Sequence, residues 1–291
     1  MRYGVNVPNF GPRTDPGLLR DWARTIEGLG YDQLLMSDHL VITPDVAKQY
    51  PAPFYEPLTT LSWLAGLTTR VTLGTTVLVA AYRHPLAVAR MVANLSDLSN
   101  GRFILGVGVG WARDEFTQLG LDYATRGRAA DDLIHTLRKT WDDAGHDYRG
   151  GHVPIWVGGN SIRARRRAIT HADAWHPINL TTDDFLNKLM TTRSLALATQ
   201  RPCPAFAPRI RLRLDQREDS SPHRLAGTGS PEQVLADIDA LEAAGAESII
   251  FDPVDEDPAR RRPPETTWEE LDRLIASIHA SHLEQAESAA T

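Results

Sequence analysis

The chain has 291 residues, 42% hydrophobic and 23% charged, with a formal net charge of -6. Such a chain buries roughly three quarters of its unfolded surface and needs no covalent staple, whether it forms one domain or two. The acidic balance argues against a general nucleic-acid binder, and the single Cys203 excludes an internal disulfide, which fits a reducing cytosol.

The N-terminal MRYGVNVPNF lacks an apolar signal core and a cleavage site, and no run approaches the ~18 apolar residues of a membrane span, so a cytoplasmic protein is expected. Strand-like and helix-like patterns then alternate along the chain. Tyr3 to Val7 reads as a short strand closed by the turn-forming PNFGP. Leu18, Leu19, Trp22, Ile26 and Leu29 share one stripe, the spacing of an amphipathic helix, and Gly30 ends it. Gln33 to Met36 is the second strand. The Pro- and Tyr-containing stretch from Val41 to Pro57 is long for a loop in a compact domain and suggests a lid or binding loop. A helix over Leu58–Gly66, a β-branched strand over Val71–Val79 and a helix over Pro85–Leu98 follow.

Phe103 to Val107 is the fourth strand, followed by helical stretches near Ala112–Leu119 and Arg126–Asp142 and a polar loop over Asp142–Gly151. Strands at Val153–Val157, Ala172–Trp175, Arg209–Leu214 and Ser248–Phe251 alternate with helices at Ile162–Thr170, Asp183–Ala198, Pro231–Ala244 and Trp268–His282. Eight βα units predict a parallel sheet closed into a single (β/α)8 TIM barrel over residues 1–285, with a frayed tail at 286–291. A doubly wound open sheet is the alternative.

A barrel places its functional residues just after each strand. Ser37-Asp38-His39 follows the second strand, and a histidine beside a carboxylate can act as general acid or base near neutral pH. The structural alternative is a turn capped by Asp38 with His39 a satisfied polar residue. Arg83, in Tyr82-Arg83-His84-Pro85, reads as a residue at a helix start that satisfies backbone carbonyls, or as the partner of an anion. Strand four ends Gly106-Val107-Gly108-Val109-Gly110-Trp111, glycine-rich enough for close approach to a ligand or for bulges at the rim. It is not a dinucleotide fingerprint, because Trp111 stands where a third glycine is needed. Gly158-Gly159-Asn160-Ser161 opens a helix, either as a phosphate cradle or as a tight turn capped by Asn160 or Ser161. Trp175-His176-Pro177 sets a second histidine at the rim. Arg163 with Arg165 to Arg167, and Arg260 to Arg262, read as solvated faces, the first alternatively as positive charge near a phosphate. No hydrolase, metalloprotease, P-loop or C-x-x-C motif is present, and no histidine spacing suggests a metal.

Taken together, these segments resemble the luciferase-like monooxygenase superfamily, and within it the F420-dependent oxidoreductase branch. The resemblance rests on Pro8-Asn9-Phe10-Gly11, Gly30-Tyr31-Asp32, Ser37-Asp38-His39, Pro57-Leu58-Thr59, the run Arg70 to Val77, Tyr82 to Pro85, LSDLSNGRFILGVGVGWARDE from Leu95 to Glu115, PIWVGGN from Pro154 to Asn160 and ADAWHP from Ala172 to Pro177. It implies a deazaflavin or flavin ring in the barrel mouth, backed by a non-proline cis peptide at Thr76-Val77. Asp38 and His39 would meet the ring, with His39 as proton donor. Val109, Gly110 and Trp111 would line its other side, Gly158, Gly159, Asn160 and Ser161 would hold the phosphate, and Trp175 and His176 would close the rim. F420 is the implied cofactor and FMN the alternative; the implied reaction is hydride transfer with a small organic substrate, in a homodimer. An FMN-dependent monooxygenase and a non-catalytic flavin-binding barrel are the competing readings. In one departure, the sugar-phosphate-oxidising members carry a Glu soon after the strand-four glycines, where this chain has Trp111 and Ala112, with Glu115 a turn later. That counts against sugar-phosphate oxidation. Tyr50, Phe54 and Tyr55 are expected to cover the substrate.

Overall fold

A computed structural model describes residues 1–143, 152–215, 217–255, 257 and 260–289, so most of the expected 142–151 loop lies outside the described residues. The strands are β1 (Arg2–Asn6), β2 (Gln33–Met36), β3 (Thr72–Thr75), β4 (Leu78–Val79), β5 (Phe103–Gly108), β6 (Ile155–Gly158), β7 (Ala174–His176), β8 (Ala205–Phe206), β9 (Arg209–Arg211), β10 (Arg213–Leu214), β11 (Thr228–Gly229) and β12 (Ser248–Asp252). The main sheet runs β8-β7-β6-β5-β3-β2-β1-β12-β9 with every pairing parallel, and β4 extends the β3 path against β5.

The two ends of that path are one strand. β8 and β9 are interrupted only at Ala207-Pro208, where proline has no N–H to give a ladder. The Ala207 amide donates to Trp175 O (3.0 Å) on one side, and Pro208 O accepts from the Ile250 amide (2.9 Å) on the other. The sheet therefore closes on itself, and the expected barrel, not the open sheet, is the fold.

Buried strands explain the sequence pattern. Every residue of β2 and β5 is buried, because parallel strands covered on both faces read as continuous apolar runs. Alternate residues then serve two cores. Leu35, Ile104, Trp156, Ala174, Ala207 and Ile250 pack together in one cluster, the barrel interior. Leu34, Leu73, Leu105, Val157 and Ile249 join the larger cluster with the helices.

The helices are α1 (Pro16–Gly28), α2 (Pro44–Ala47), α3 (Pro57–Ala65), α4 (Pro85–Leu98), α5 (Arg113–Gln118), α6 (Arg126–Asp143), α7 (Ile162–His171), α8 (Thr182–Ala198), α9 (Pro231–Ala243) and α10 (Pro264–Ala289). Local chemistry sets their starts: Asp15 and Thr181 cap α1 and α8, and Ser230 with Gln233 forms a reciprocal capping box on α9.

Three expectations change. The strand expected over Val71–Val79 breaks at Thr76-Val77, whose peptide bond is cis. Helix α10 runs on to Ala289, so most of the expected tail is helical. The 41–57 loop contains α2, a cis Ala52-Pro53 bond and an antiparallel bridge from Phe54 to Phe10.

Candidate active site

At the end of β2, Asp38 and His39 are both buried, but they do not partner each other. Asp38 receives two hydrogen bonds from the Arg83 guanidinium, at 2.7 and 2.8 Å, and one from the Val79 amide at 2.9 Å. Glu56, the residue before α3, engages the same guanidinium at 2.7 Å. Asp38 thus locks the chain just past the cis bond, and the expected Asp38–His39 dyad is corrected.

The partner of His39 is Glu115, on the short helix α5. His39 Nδ1 lies 2.6 Å from Glu115 Oε2, and the carboxylate also accepts from the Leu40 amide (2.6 Å), the Val41 amide (3.0 Å) and the Tyr82 hydroxyl (2.8 Å). Glu115 is 0% exposed. Burial alone pushes its carboxyl up, but the His39 hydrogen bond and the two amides outweigh it and hold the group below its ordinary range. Burial and the same carboxylate push the Tyr82 phenol up, so it stays a donor. A carboxylate only accepts, so Nδ1 carries the proton and Nε2 is left as the open nitrogen. No residue among those described hydrogen-bonds Nε2.

Aromatic rings cover this histidine. Tyr50 lies 5.0 Å from the His39 ring, Phe54 5.5 Å and Trp111 5.7 Å. The 41–57 segment therefore does close over the mouth. A small pocket lies between Tyr50 and the polar floor formed by Arg209 and Asp252.

That floor is a second buried network. Arg209 donates to the Thr76 carbonyl (2.7 Å), to Thr76 Oγ1 (3.1 Å) and to Asp252 (2.7 and 3.1 Å). Asp252 also accepts from Asn6 (3.0 Å) and Arg211 (3.1 Å). Burial raises the Asp252 carboxyl, but Arg209 and Arg211 more than reverse this and lower it. His176 Nδ1 donates to the Ala207 carbonyl at 2.5 Å, and its Nε2 accepts from Thr76 Oγ1 at 2.8 Å. Burial pushes the His176 imidazole down to about 4, so it stays neutral.

The strand-four glycines have a packing reason. A Cβ on Gly106 would sit 2.0 Å from the Thr75 carbonyl, and one on Gly108 would sit 2.4 Å from Val77 Cγ2. They admit the Thr75–Val77 segment itself. Val109 is half-buried against the helical core, Gly110 turns with φ +78°, and Trp111 is 45% exposed at the rim.

The Gly158–Ser161 turn is partly committed elsewhere. Both ends of the Asn160 amide clamp the Ile178 backbone (2.7 and 3.0 Å), and Ser161 caps α7 through the Ala164 amide (3.1 Å). Gly159, with φ +107°, gives its amide to the His176 carbonyl (3.3 Å). Trp175 is buried in the core with its indole N–H on the Gly159 carbonyl (2.9 Å), so it braces this turn from below and does not close the rim. His176 is likewise interior. Neither Arg run is a simple solvated face: Arg167 pairs with Asp131 (2.6 Å), Arg165 binds Lys188 O, and Arg261 and Arg262 are half-buried.

Sequence reasoning missed Glu115, Arg209 and Asp252 as site residues. The available signal for Asp252 was a charge at the C-terminal end of an otherwise buried strand, whereas Arg209 opens β9 and carried no such signal. For Glu115 there was none local, since α5 brings it back across 76 positions to His39. The residues suit a planar polar ring: Asn6 Oδ1, Asn9 Oδ1 and Ser37 Oγ are buried at the ends of β1 and β2 without hydrogen-bond partners, and such atoms call for a ligand edge.

Residues 1–211 match the family model described as luciferase-like monooxygenase. The phthiodiolone/phenolphthiodiolone dimycocerosates ketoreductase of Mycobacterium bovis is 31% identical over 175 residues, 53% of this chain and 46% of that protein. The F420-dependent glucose-6-phosphate dehydrogenase of Microbacterium testaceum is 31% identical over 192 residues, 58% of this chain and 54% of that protein. The chain thus spans about half the length of the curated relatives it matches. Among solved structures, the monooxygenase RslO1 from Streptomyces bottropensis superposes with a TM-score of 0.73 at 19% identity, covering 99% of this chain and 100% of that one. An F420-dependent secondary alcohol dehydrogenase bound to an F420-acetone adduct gives 0.74 at 14% identity over 96% and 99%. These two show the fold.

Proposed function

From a chain that belongs to the luciferase-like monooxygenase family, we propose an F420-dependent oxidoreductase that transfers a hydride to or from a small organic substrate. The observation that carries this reading is the buried His39–Glu115 pair at the barrel mouth. A pure binding protein has no use for a histidine whose tautomer is fixed by an inaccessible carboxylate. The relatives named above, an F420-dependent dehydrogenase and a ketoreductase, support F420 and carbonyl–alcohol chemistry.

When bound, F420 would supply the hydride chemistry. His39 Nε2 would exchange the accompanying proton with the substrate oxygen, while Glu115 behind it holds Nδ1–H and offsets the positive charge that develops on the ring. Thr76, Val77 and Arg209 would form the wall and floor under the cofactor ring, Val109, Gly110 and Trp111 its rim, and Gly158 and Gly159 the phosphate turn. Asp38 would act indirectly, by fixing the backbone beyond the cis bond. Glu115 is buried with its oxygens taken by four protein donors, so it does not restore the missing sugar-phosphate Glu, and sugar phosphates are not the proposed substrates. A homodimer in the cytoplasm is the proposed setting.

FMN is the second reading, because the Baeyer–Villiger monooxygenase component from Pseudomonas putida with the same fold is bound to FMN (TM-score 0.71, 15% identity, 94% of this chain and 96% of that one). The test of the catalytic role is His39→Ala, assayed with F420 and a panel of small ketones and secondary alcohols. Turnover should fall roughly 10²–10⁴-fold while F420 affinity changes little. Equal losses in both would mark a cofactor binder.

A further inference from the structure

A sizeable cavity lies outside the mouth. It measures about 450 Å³ and lies beside it, between the β1–α1 loop, the 41–57 segment and the β12–α10 loop. That volume falls within the range of small-molecule pockets. Its walls are apolar, with Phe10, Leu18, Trp22 and Val254 among them, and Arg13, Arg261 and Arg262 line it too.

The three guanidiniums are not equally engaged. Arg262 pairs with Glu270. Arg261 is half-buried, lies 5.3 Å above the Phe10 ring and, among the described residues, gives hydrogen bonds to the Gln49 and Asp255 carbonyls. No carboxylate among the described residues forms an ion pair with it, and most of its five N–H groups remain available. Arg13, exposed at the cavity edge, donates to the Arg262 carbonyl at 3.5 Å. On the cavity wall, Trp22 is 2% exposed and its indole N–H has no hydrogen-bond partner. Asp255, Asp252 and Asp257 act on Arg261 through space but offset only part of the cost of its burial, and a buried donor such as the Trp22 indole needs an acceptor.

We infer that this cavity is a second binding site, for an amphipathic carboxylate whose apolar body fills the Phe10–Leu18–Trp22 chamber and whose head meets Arg261 and Arg13. The planar guanidinium matches a carboxylate in bidentate fashion. The site is separate from the cofactor site yet shares a wall with it. Ala47 and Pro51 line the cavity, while Tyr50 and Phe54 of the same segment cover His39. Phe10 packs on both of those rings, at 4.9 and 5.7 Å. A bound acid would therefore brace the cover over the mouth.

Calorimetric titration with 4-phenylbutyrate and its neutral amide tests this, with inorganic phosphate as the apolar-free control. The site predicts one saturable event per chain, with the acid at least about tenfold tighter than the amide and no phosphate binding, the charge-assisted pair supplying the difference. Arg261→Met should erase the preference for the acid, and Leu18→Trp, which fills the chamber, should abolish binding of both while leaving F420 affinity unchanged. Equal affinity for acid and amide, insensitivity to Leu18→Trp, or displacement of the acid by F420 would overturn the inference. The preference for acid over amide and its loss in Arg261→Met do not depend on whether the barrel mouth prefers F420 or FMN.

Discussion

Glu115 accepts from four donors at once, which leaves it no capacity to meet a substrate and makes it the group that orients His39. Glu115→Gln keeps the size but presents an N–H₂ where an acceptor is needed, so the imidazole tautomer is no longer imposed. Turnover should drop by about tenfold or more with a change in its pH profile, and F420 affinity should hold. The carboxyl is depressed when folded from its ordinary 4.5, so its contribution to stability is present above that value and is lost as pH falls below it. Urea unfolding at stepped acidic pH should show a shallower decline for Glu115→Gln than for the wild type. His176 works in a neighbouring window. It is held neutral, with its pKa moved from 6.5 to about 4, so the unfolded chain binds the extra proton and stability falls as pH drops from 6.5 towards 4. The full shift corresponds to about 3 kcal/mol. His176→Gln should be less stable at neutral pH yet flatter across that interval; an unchanged slope would show that His176 does not titrate there.

The element with most leverage is the 41–57 segment. Its Tyr50 and Phe54 rings lie 5.0 and 5.5 Å from the His39 ring, so the segment sits over the residue assigned the proton transfer. Double replacement of Tyr50 and Phe54 by Ala should speed cofactor association in stopped-flow mixing and raise the apparent Michaelis constant. Unchanged values would remove the segment from the site. Elements of this kind were legible from Pro and Tyr content and length, as were the barrel strands from their apolar runs. What was not legible was direction. Asp38 and His39 are adjacent in the loop just past β2, and their side chains diverge, one to Arg83 and one to Glu115. That divergence is why the neighbouring carboxylate was the wrong partner. Trp175, expected at the rim, packs instead in the core with the helices, while its neighbour Ala174 faces the barrel interior, because β7 alternates its faces.

Across the whole molecule, closure and chemistry share residues. Arg209 on β9, Asp252 on β12, Asn6 on β1 and Thr76 just past β3 meet in one buried network. The barrel therefore closes through the groups that hold the floor of its mouth. Asp252→Ala leaves the buried Arg209 guanidinium unpaired and should cost roughly 3–5 kcal/mol, seen as a lowered melting temperature together with lost cofactor binding. A variant as stable as the wild type would show that the pair is not what secures the closure. The most direct test of the central claim is equilibrium dialysis of the purified chain against F420 and FMN side by side. Saturable binding of one F420 per chain, tighter than FMN, is the predicted result; tighter binding of FMN, or saturable binding of neither, would contradict it.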